Sequence, residues 1–188
     1  MLEKKKDFRK KIRLLRKSLS ESERRKLSLK IIERLKRLPE FKRAKTVMLY
    51  YPADGEVDLK PLIEELLSSG DKILLLPKTG EGGELYAVEV KSFDILKPGN
   101  FGILEPIGGR IFKPEKIDLV VVPAVAFDKS CNRLGMGKGF YDRFLPRVKG
   151  KRIGVGFDFQ LLEELPVEGH DVPVDMVITP SKICKKGG

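Results

Sequence analysis

The chain has 188 residues, a formal net charge of +11, and 41% hydrophobic against 35% charged residues. That is enough for one domain with a real core, and no apolar run approaches the roughly 20 residues of a membrane span. Two cysteines, Cys131 and Cys184, exclude a disulfide framework and a cysteine-built metal site, while the excess of Lys and Arg suggests an anionic partner.

The N-terminus is Lys-rich without an apolar stretch behind it, so a secretory signal is not expected and a cytoplasmic location is. Phe8, Ile12, Leu15 and Leu19 follow a 4-3-4 spacing, which marks one helical face. Ser20-Glu21-Ser22-Glu23 is a capping box that starts a second helix. Its apolar stripe runs through Leu27, Ile31, Leu35 and Leu38 until Pro39 ends it. Both helices carry basic polar faces. Residues 46–50 form a continuous apolar strand ended by Pro52. Asp58 caps a helix carrying Leu59, Leu62, Ile63, Leu66 and Leu67, closed by Gly70. Residues 72–76 are the next strand, ended by Pro77. Strand, helix, strand is a right-handed βαβ unit, and runs without alternation suit a parallel sheet covered on both faces.

Residues 80–113 read as a long irregular excursion holding one edge strand at 85–90. Residues 118–122 return to a buried strand. A glycine-rich loop follows, then a helix at 141–147, a strand at 152–156, a helical turn at 160–165 and a last strand at 175–178. No repeat, low-complexity tract or linker interrupts the chain, so residues 1–188 are expected to be one domain. The expected architecture is a three-layer α/β sandwich around a mainly parallel sheet, with two basic N-terminal helices packed on one side. Ligands of such sheets bind beyond the carboxyl ends of the strands. Polar residues follow three of those ends: Asp54-Gly55-Glu56, Lys78, and the glycine loop.

That loop is the most informative segment. Glycines at Gly135, Gly137 and Gly139 alternate with other residues, Arg133 and Lys138 are interleaved, and Asp142 follows. Glycine permits positive φ and close approach to the main chain, and successive N–H groups in such a turn form an anion-binding nest. A helix starting there would add its positive dipole end. Phosphate binding is the expected chemistry, with Asp142 placed to hold a divalent metal. The loop is neither G-x-x-x-x-G-K-[ST] nor G-x-G-x-x-G.

The string Phe127-Asp128, Asn132-Arg133-Leu134-Gly135, Gly137-Lys138-Gly139-Phe140-Tyr141-Asp142 resembles the signature of the 5-formyltetrahydrofolate cyclo-ligase family. Lys5-Lys6-Asp7-Phe8-Arg9 before Ser-x-x-Glu is similar to that family's first helices. Gly55-Glu56-Val57-Asp58 resembles its segment after the first strand. His170-Asp171-Val172-Pro173-Val174-Asp175 followed by Val177-Ile178-Thr179 resembles its closing motif. The four matches occur in the family's order over nearly the whole chain.

The resemblance implies ATP- and magnesium-dependent closure of 5-formyltetrahydrofolate to 5,10-methenyltetrahydrofolate, on a Rossmann-like sandwich similar to sugar-phosphate isomerases and CoA transferases. It implies that Lys5 and Arg9 contact ATP phosphates and that Arg133, Leu134, Gly135, Met136, Gly137, Lys138, Gly139, Phe140 and Tyr141 form the nucleotide loop. Lys5, Arg9, Arg133 and Lys138 would be the catalytic cations. Met136 through Phe140 would also touch the folate, Glu56 would bind it, and Asp142 and Asp175 would hold magnesium. Phe140 stands where the family commonly has Tyr, and Met136 occupies a variable position. His170 reads as a structural partner in the last loop. No nucleic-acid or membrane partner is expected, and a monomer is. The competing readings are an isomerase or transferase on the same sheet, which needs no ATP, and a nucleic-acid binder using residues 3–37.

Overall fold

The computed structural model describes residues 2–53, 55–169 and 171–187. Helix α1 (Leu2–Ser18) follows the predicted stripe and buries Ile12 completely. Ser20 caps α2 (Glu21–Arg37), its Oγ accepting from the Glu23 amide at 3.1 Å. Pro39 stops that helix but starts another, α3 (Pro39–Arg43). Proline is tolerated at a first helical position because its missing N–H would have no partner there.

β1 (Thr46–Met48), α4 (Lys60–Ser69) and β2 (Ile73–Thr79) make the expected βαβ unit. Gly70 closes α4. β2 runs through Pro77 instead of ending there. β1 has already stopped at Met48, opposite Leu75, so Pro77 has a ladder partner only in β3 (Leu85–Glu89). β4 (Leu96–Pro98), β5 (Leu104–Pro106) and β6 (Ile111–Phe112) occupy the irregular excursion. After β7 (Leu119–Val122), the glycine loop is led in by an unpredicted hairpin, β8 (Ala126–Asp128) and β9 (Arg133–Leu134), and led out by α5 (Phe140–Phe144). β10 (Lys151–Val155), β11 (Leu161–Leu162), β12 (Met176–Ile178) and β13 (Ile183–Lys185) complete the order. β11 lies where a helical turn was expected at 160–165, and it pairs in parallel with β8.

The main sheet has eight strands in the order β13-β12-β10-β7-β1-β2-β3-β6. β12, β10, β7, β1 and β2 are mutually parallel, and the outer strands are antiparallel. The chain leaves β1 toward β2 and then returns to β7 on the other side of β1. In doubly wound sheets that reversal opens a crevice at the strands' carboxyl ends, and ligands bind there.

Alternate residues divide the core. Val47, Leu74, Leu76, Val121, Ile153 and Ile178 pack with α2 and α4 on one face. Met48, Leu75, Val120, Val122 and Val177 pack with α5 on the other. Gly154 is glycine because the Phe127 ring lies on it; a Cβ there would come within 2.4 Å of that ring. The two N-terminal helices separate, contrary to expectation. α2 covers the sheet, whereas α1 packs Ile12 against Ala126 and Leu134 of the small β11-β8-β9 sheet and against Val125 and Leu165 beside it. Residues 1–45 hold 19 of the 38 Lys and Arg but 6 of the 27 Asp and Glu, so the net charge rests on these helices. Among the described residues no helix is long and apolar enough to cross a membrane.

Candidate active site

A cleft of about 890 Å³ opens at the carboxyl ends of β1, β2 and β7. Tyr50 and Glu56 follow β1, Thr79 ends β2, Pro123 and Ala124 follow β7, and the glycine loop closes the far side. α1 supplies the remaining wall through Leu2, Lys5, Arg9 and Arg13, spaced three and four apart on one helical face. The volume is in the range of ordinary ligand pockets. Lys78, expected just beyond the second strand, lies inside β2 and does not line it. Strand alternation sends Lys78 to the opposite side from its lining neighbours Pro77 and Thr79.

Lys5 is buried at 7% exposure, unusual for lysine. Its Nζ donates to Asp171 Oδ2 at 2.9 Å and lies 3.6 Å from Glu168 Oε1. Arg9, one turn on, donates from Nε to Gly135 O at 2.9 Å. The first helix is therefore tied both to the closing segment and to the glycine loop.

Arg133 is buried on β9. Its Nε donates to Pro123 O at 3.0 Å, its Nη1 lies 3.5 Å from Asp142 Oδ1, and its guanidinium carbon lies 5.2 Å from the Tyr141 ring centroid. Burial pulls its pKa down and the Asp142 carboxylate opposes that. Gly137 and Gly139 take the left-handed region, at φ 100° and 75°, whereas Gly135 does not. α5 is a single turn of five residues, so the expected dipole is small and the side-chain cations must carry the positive potential. Lys138 Nζ sits 5.5 Å from the Phe101 ring centroid.

Glu56 is held by the turn after β1. Its Oε1 accepts from Ala53 N at 2.6 Å, Arg16 Nε donates to Gly55 O at 3.1 Å, and Tyr50 Oη donates to Val57 O at 3.0 Å. Burial pushes its pKa up, partly offset by the Ala53 amide and by Arg16 and Arg24.

A family model described as the 5-formyltetrahydrofolate cyclo-ligase family matches residues 1–180. The 5-formyltetrahydrofolate cyclo-ligase of Escherichia coli (strain K12) is 35% identical over 178 residues, covering 92% of this chain and 98% of that protein. The chain belongs to the 5-formyltetrahydrofolate cyclo-ligase family. It is accordingly a ligase of folate one-carbon metabolism. Two solved structures agree. The 5,10-methenyltetrahydrofolate synthetase of Aquifex aeolicus superposes with a TM-score of 0.88 at 48% identity, covering 98% of this chain and 93% of that one. That of Mycoplasma pneumoniae gives 0.77 at 28%, covering 94% and 99%.

The cyclo-ligase closing motif corrects one expectation. Asp175 does not join Asp142. It immediately precedes β12, at the amino ends of the parallel strands. There its Oδ2 accepts from Arg152 N at 2.8 Å and lies 3.6 Å from Arg152 Nε. Asp171, four residues earlier, lines the cleft with Asp142 and Glu168. Four extended residues span up to about 14 Å, enough to run from one end of a short strand to the other. Asp171 was in the quoted motif, but nothing local distinguished it from Asp175. His170 and Asp54 lie outside the described residues.

Sequence reading also missed the wall made by the excursion. Phe101 lines the cleft at φ 65°, 63% exposed, with its ring edge-on to Phe140 at 6.3 Å. Asn100 Nδ2 donates to Thr79 Oγ1 at 2.9 Å, and that hydroxyl donates to Glu105 Oε2 at 2.8 Å. The Asn-Phe-Gly turn was visible as a turn; its approach to a loop forty residues away was not.

Proposed function

We propose that this cyclo-ligase closes 5-formyltetrahydrofolate to 5,10-methenyltetrahydrofolate at this cleft, with ATP converted to ADP and phosphate. The observation that carries the reading is convergence. Arg9, Glu56, Arg133, Lys138 and Asp142, scattered along the chain, line one cavity at the switch point of the sheet.

The chemistry explains why a nucleotide is needed. An amide oxygen is a poor leaving group. Bound ATP supplies the phosphoryl group: the formyl oxygen attacks the γ-phosphorus and ADP departs. The second folate nitrogen then bonds to the formyl carbon, the carbon–oxygen bond breaks, phosphate leaves, and that nitrogen gives up its proton. The protein's part is positioning and charge neutralisation, and no side-chain nucleophile is required. Arg9, Arg133, Lys138 and Lys5 supply positive charge on two sides of the cleft. Glu56 can accept a pair of adjacent pterin N–H groups in a charge-assisted contact.

The donor set suits magnesium. That ion takes one or two carboxylates and completes its shell with phosphate oxygens and water. Asp142 and Asp171 are two hard-oxygen donors in the cleft, and among the described residues no larger acidic cluster offers an all-protein cage. Magnesium held there would neutralise charge on the phosphates. Asp142→Asn and Asp171→Asn are each expected to raise the magnesium concentration needed for half-maximal rate by about tenfold or more, one hard charged ligand being lost. Asp175→Asn should leave that requirement unchanged. A magnesium titration of all three variants checks this, and shifts in Asp142→Asn and Asp175→Asn with none in Asp171→Asn would restore the original pairing.

The raised pKa of Glu56 gives a pH prediction. Folate binding needs the carboxylate, so affinity should rise with pH through a midpoint above the ordinary 4.5. Glu56→Gln should abolish that rise and weaken binding by roughly tenfold or more, one charge-assisted pair being lost. The sign for folding is opposite. The folded state holds the Glu56 proton more tightly, so its contribution to stability is full below the unfolded pKa and is lost as pH climbs through the folded one. Calorimetric titration of folate between mildly acid and neutral pH tests both proteins.

The overall experiment is the absorbance rise of methenyltetrahydrofolate when the protein meets 5-formyltetrahydrofolate with and without Mg-ATP. A full-rate rise without nucleotide would overturn the proposal.

A further inference from the structure

The glycine loop is secured by side chains rather than by its own backbone. Residues 136–138 take part in no backbone–backbone hydrogen bond among the described residues. At the start of the loop Arg9 Nε donates to Gly135 O at 2.9 Å. At its end Arg143 Nη2 donates to Lys138 O at 2.8 Å. Arg143 reaches further: its Nε donates to Gly83 O at 3.0 Å. Gly83 belongs to the tight turn joining β2 to β3. One exposed guanidinium on α5 thus joins two segments that share no sheet contact.

The residues around it are shaped for that contact. Gly83 has φ 80°, and a Cβ built there would lie 1.8 Å from Arg143 Nη2. Gly139 has φ 75°, and a Cβ there would lie 2.8 Å from Arg143 Nη1. Both glycines provide the turn and leave room for the guanidinium. The planar fork of arginine can donate to two carbonyls at once, which a lysine ammonium on a flexible stem cannot reproduce with the same geometry.

We propose that Arg143 is a positioning residue: it braces the glycine loop against the β2–β3 turn and holds the Lys138 segment in the shape that receives the nucleotide phosphates. The proposal rests on the phosphate reading of that loop given above. Its physical content is pre-organisation. A loop that is ordered before binding spares the complex the conformational entropy of ordering it. Arg143 does this through Lys138 and the turn, with Nε and Nη2 already engaged on carbonyl oxygens.

Three variants separate the brace from a direct ligand contact. Arg143→Ala removes it. Gly83→Ala keeps the charge at 143 but displaces the guanidinium from the turn. Arg143→Lys retains at most one of the two bonds and should fall between. In nucleotide-free protein, tryptic cleavage after Lys138 is expected to quicken by about threefold to thirtyfold in Arg143→Ala and Gly83→Ala, given the modest net strength of two such bonds. With Mg-ATP, KM for ATP should rise by a similar factor while kcat changes by less than about twofold, because binding and not the chemical step is impaired. The double variant should be no worse than the worse single one, since both break one brace. Unchanged cleavage rates in both single variants would overturn the brace. So would normal KM in Gly83→Ala beside a large rise in Arg143→Ala, which would make Arg143 a direct phosphate ligand. The phosphate reading is judged separately: if Mg-ATP fails to protect the wild-type protein from cleavage after Lys138, that reading falls, while the cleavage rates without nucleotide still decide the brace.

Discussion

Arg133→Ala is expected to lower kcat/KM for ATP-dependent ring closure by about a hundredfold or more. Loss of one charge-assisted contact to a phosphate costs roughly 1.5–3 kcal/mol. Preorganised cations aimed at developing phosphoryl charge are worth the upper part of that range, because they need no reorganisation during the reaction. On the function proposed above, Arg133 is such a group. It is 8% exposed, its Nε is fixed by Pro123 O, and its guanidinium faces Tyr141. Removing it also leaves the Asp142 carboxylate without the cation 3.5 Å away. Arg133→Lys should recover only part of the rate, since lysine keeps the charge and loses the rigid fork. Steady-state kinetics beside a thermal melt separates the two effects. Wild-type kcat/KM in a folded Arg133→Ala protein would remove this residue from phosphate binding.

The largest effect on stability should come from Asp128→Ala. This carboxylate is 1% exposed. Its Oδ1 accepts from Ser130 N at 3.0 Å and Asn132 N at 2.9 Å, and its Oδ2 from Asn132 Nδ2 and Leu165 N, both at 3.0 Å. The hub shapes the tight turn between β8 and β9, in which Cys131 takes φ 67°. It also pins the segment leading to Glu168 and Asp171. Alanine would strand the buried Leu165 N–H and the part-buried amides of Ser130 and Asn132, at about 1–3 kcal/mol for each buried group left unsatisfied. Allowing for relaxation, about 3–5 kcal/mol is expected, comparable to breaking a buried charged pair. For a protein of this size that corresponds to about 6–20 °C in the thermal midpoint. Asp128→Asn keeps one acceptor oxygen and should lose less. A midpoint within about 2 °C of wild type for the alanine variant would show that the turn holds without the carboxylate.

Most of the fold was legible because its signals are local. The 4-3-4 stripe of Phe8, Ile12, Leu15 and Leu19, the cap at Ser20, the stop at Gly70 and the apolar runs ending at Val122 and Ile178 each concern residues within one element. Periodicity and capping report burial there directly. The expectation failed where a neighbour decided. Pro77 sits inside β2 because β1 ends before reaching it. Residues 161 and 162 extend because β8 lies alongside to pair with them.

The candidate site divides in the same way. The glycine loop, with Arg133, Lys138 and Asp142, could be marked as a candidate from residue types and spacing alone, because an anion-binding nest is built from adjacent residues. Lys5 and Arg9 became candidates only through resemblance to the family, whereas Glu56 was also marked by its place after the first strand. Tertiary structure decided that the chain reverses beside β1 and opens the cleft there. It brought Lys5 to Asp171, Phe101 to Phe140 and Arg143 to Gly83. It also separated Asp171 from Asp175, sending one carboxylate to the cleft and the other to Arg152 at the opposite end of the strands. Residue type could not make that choice, since both are aspartates in one short motif. Only the direction of the extended chain between them places one in the cleft and the other outside it.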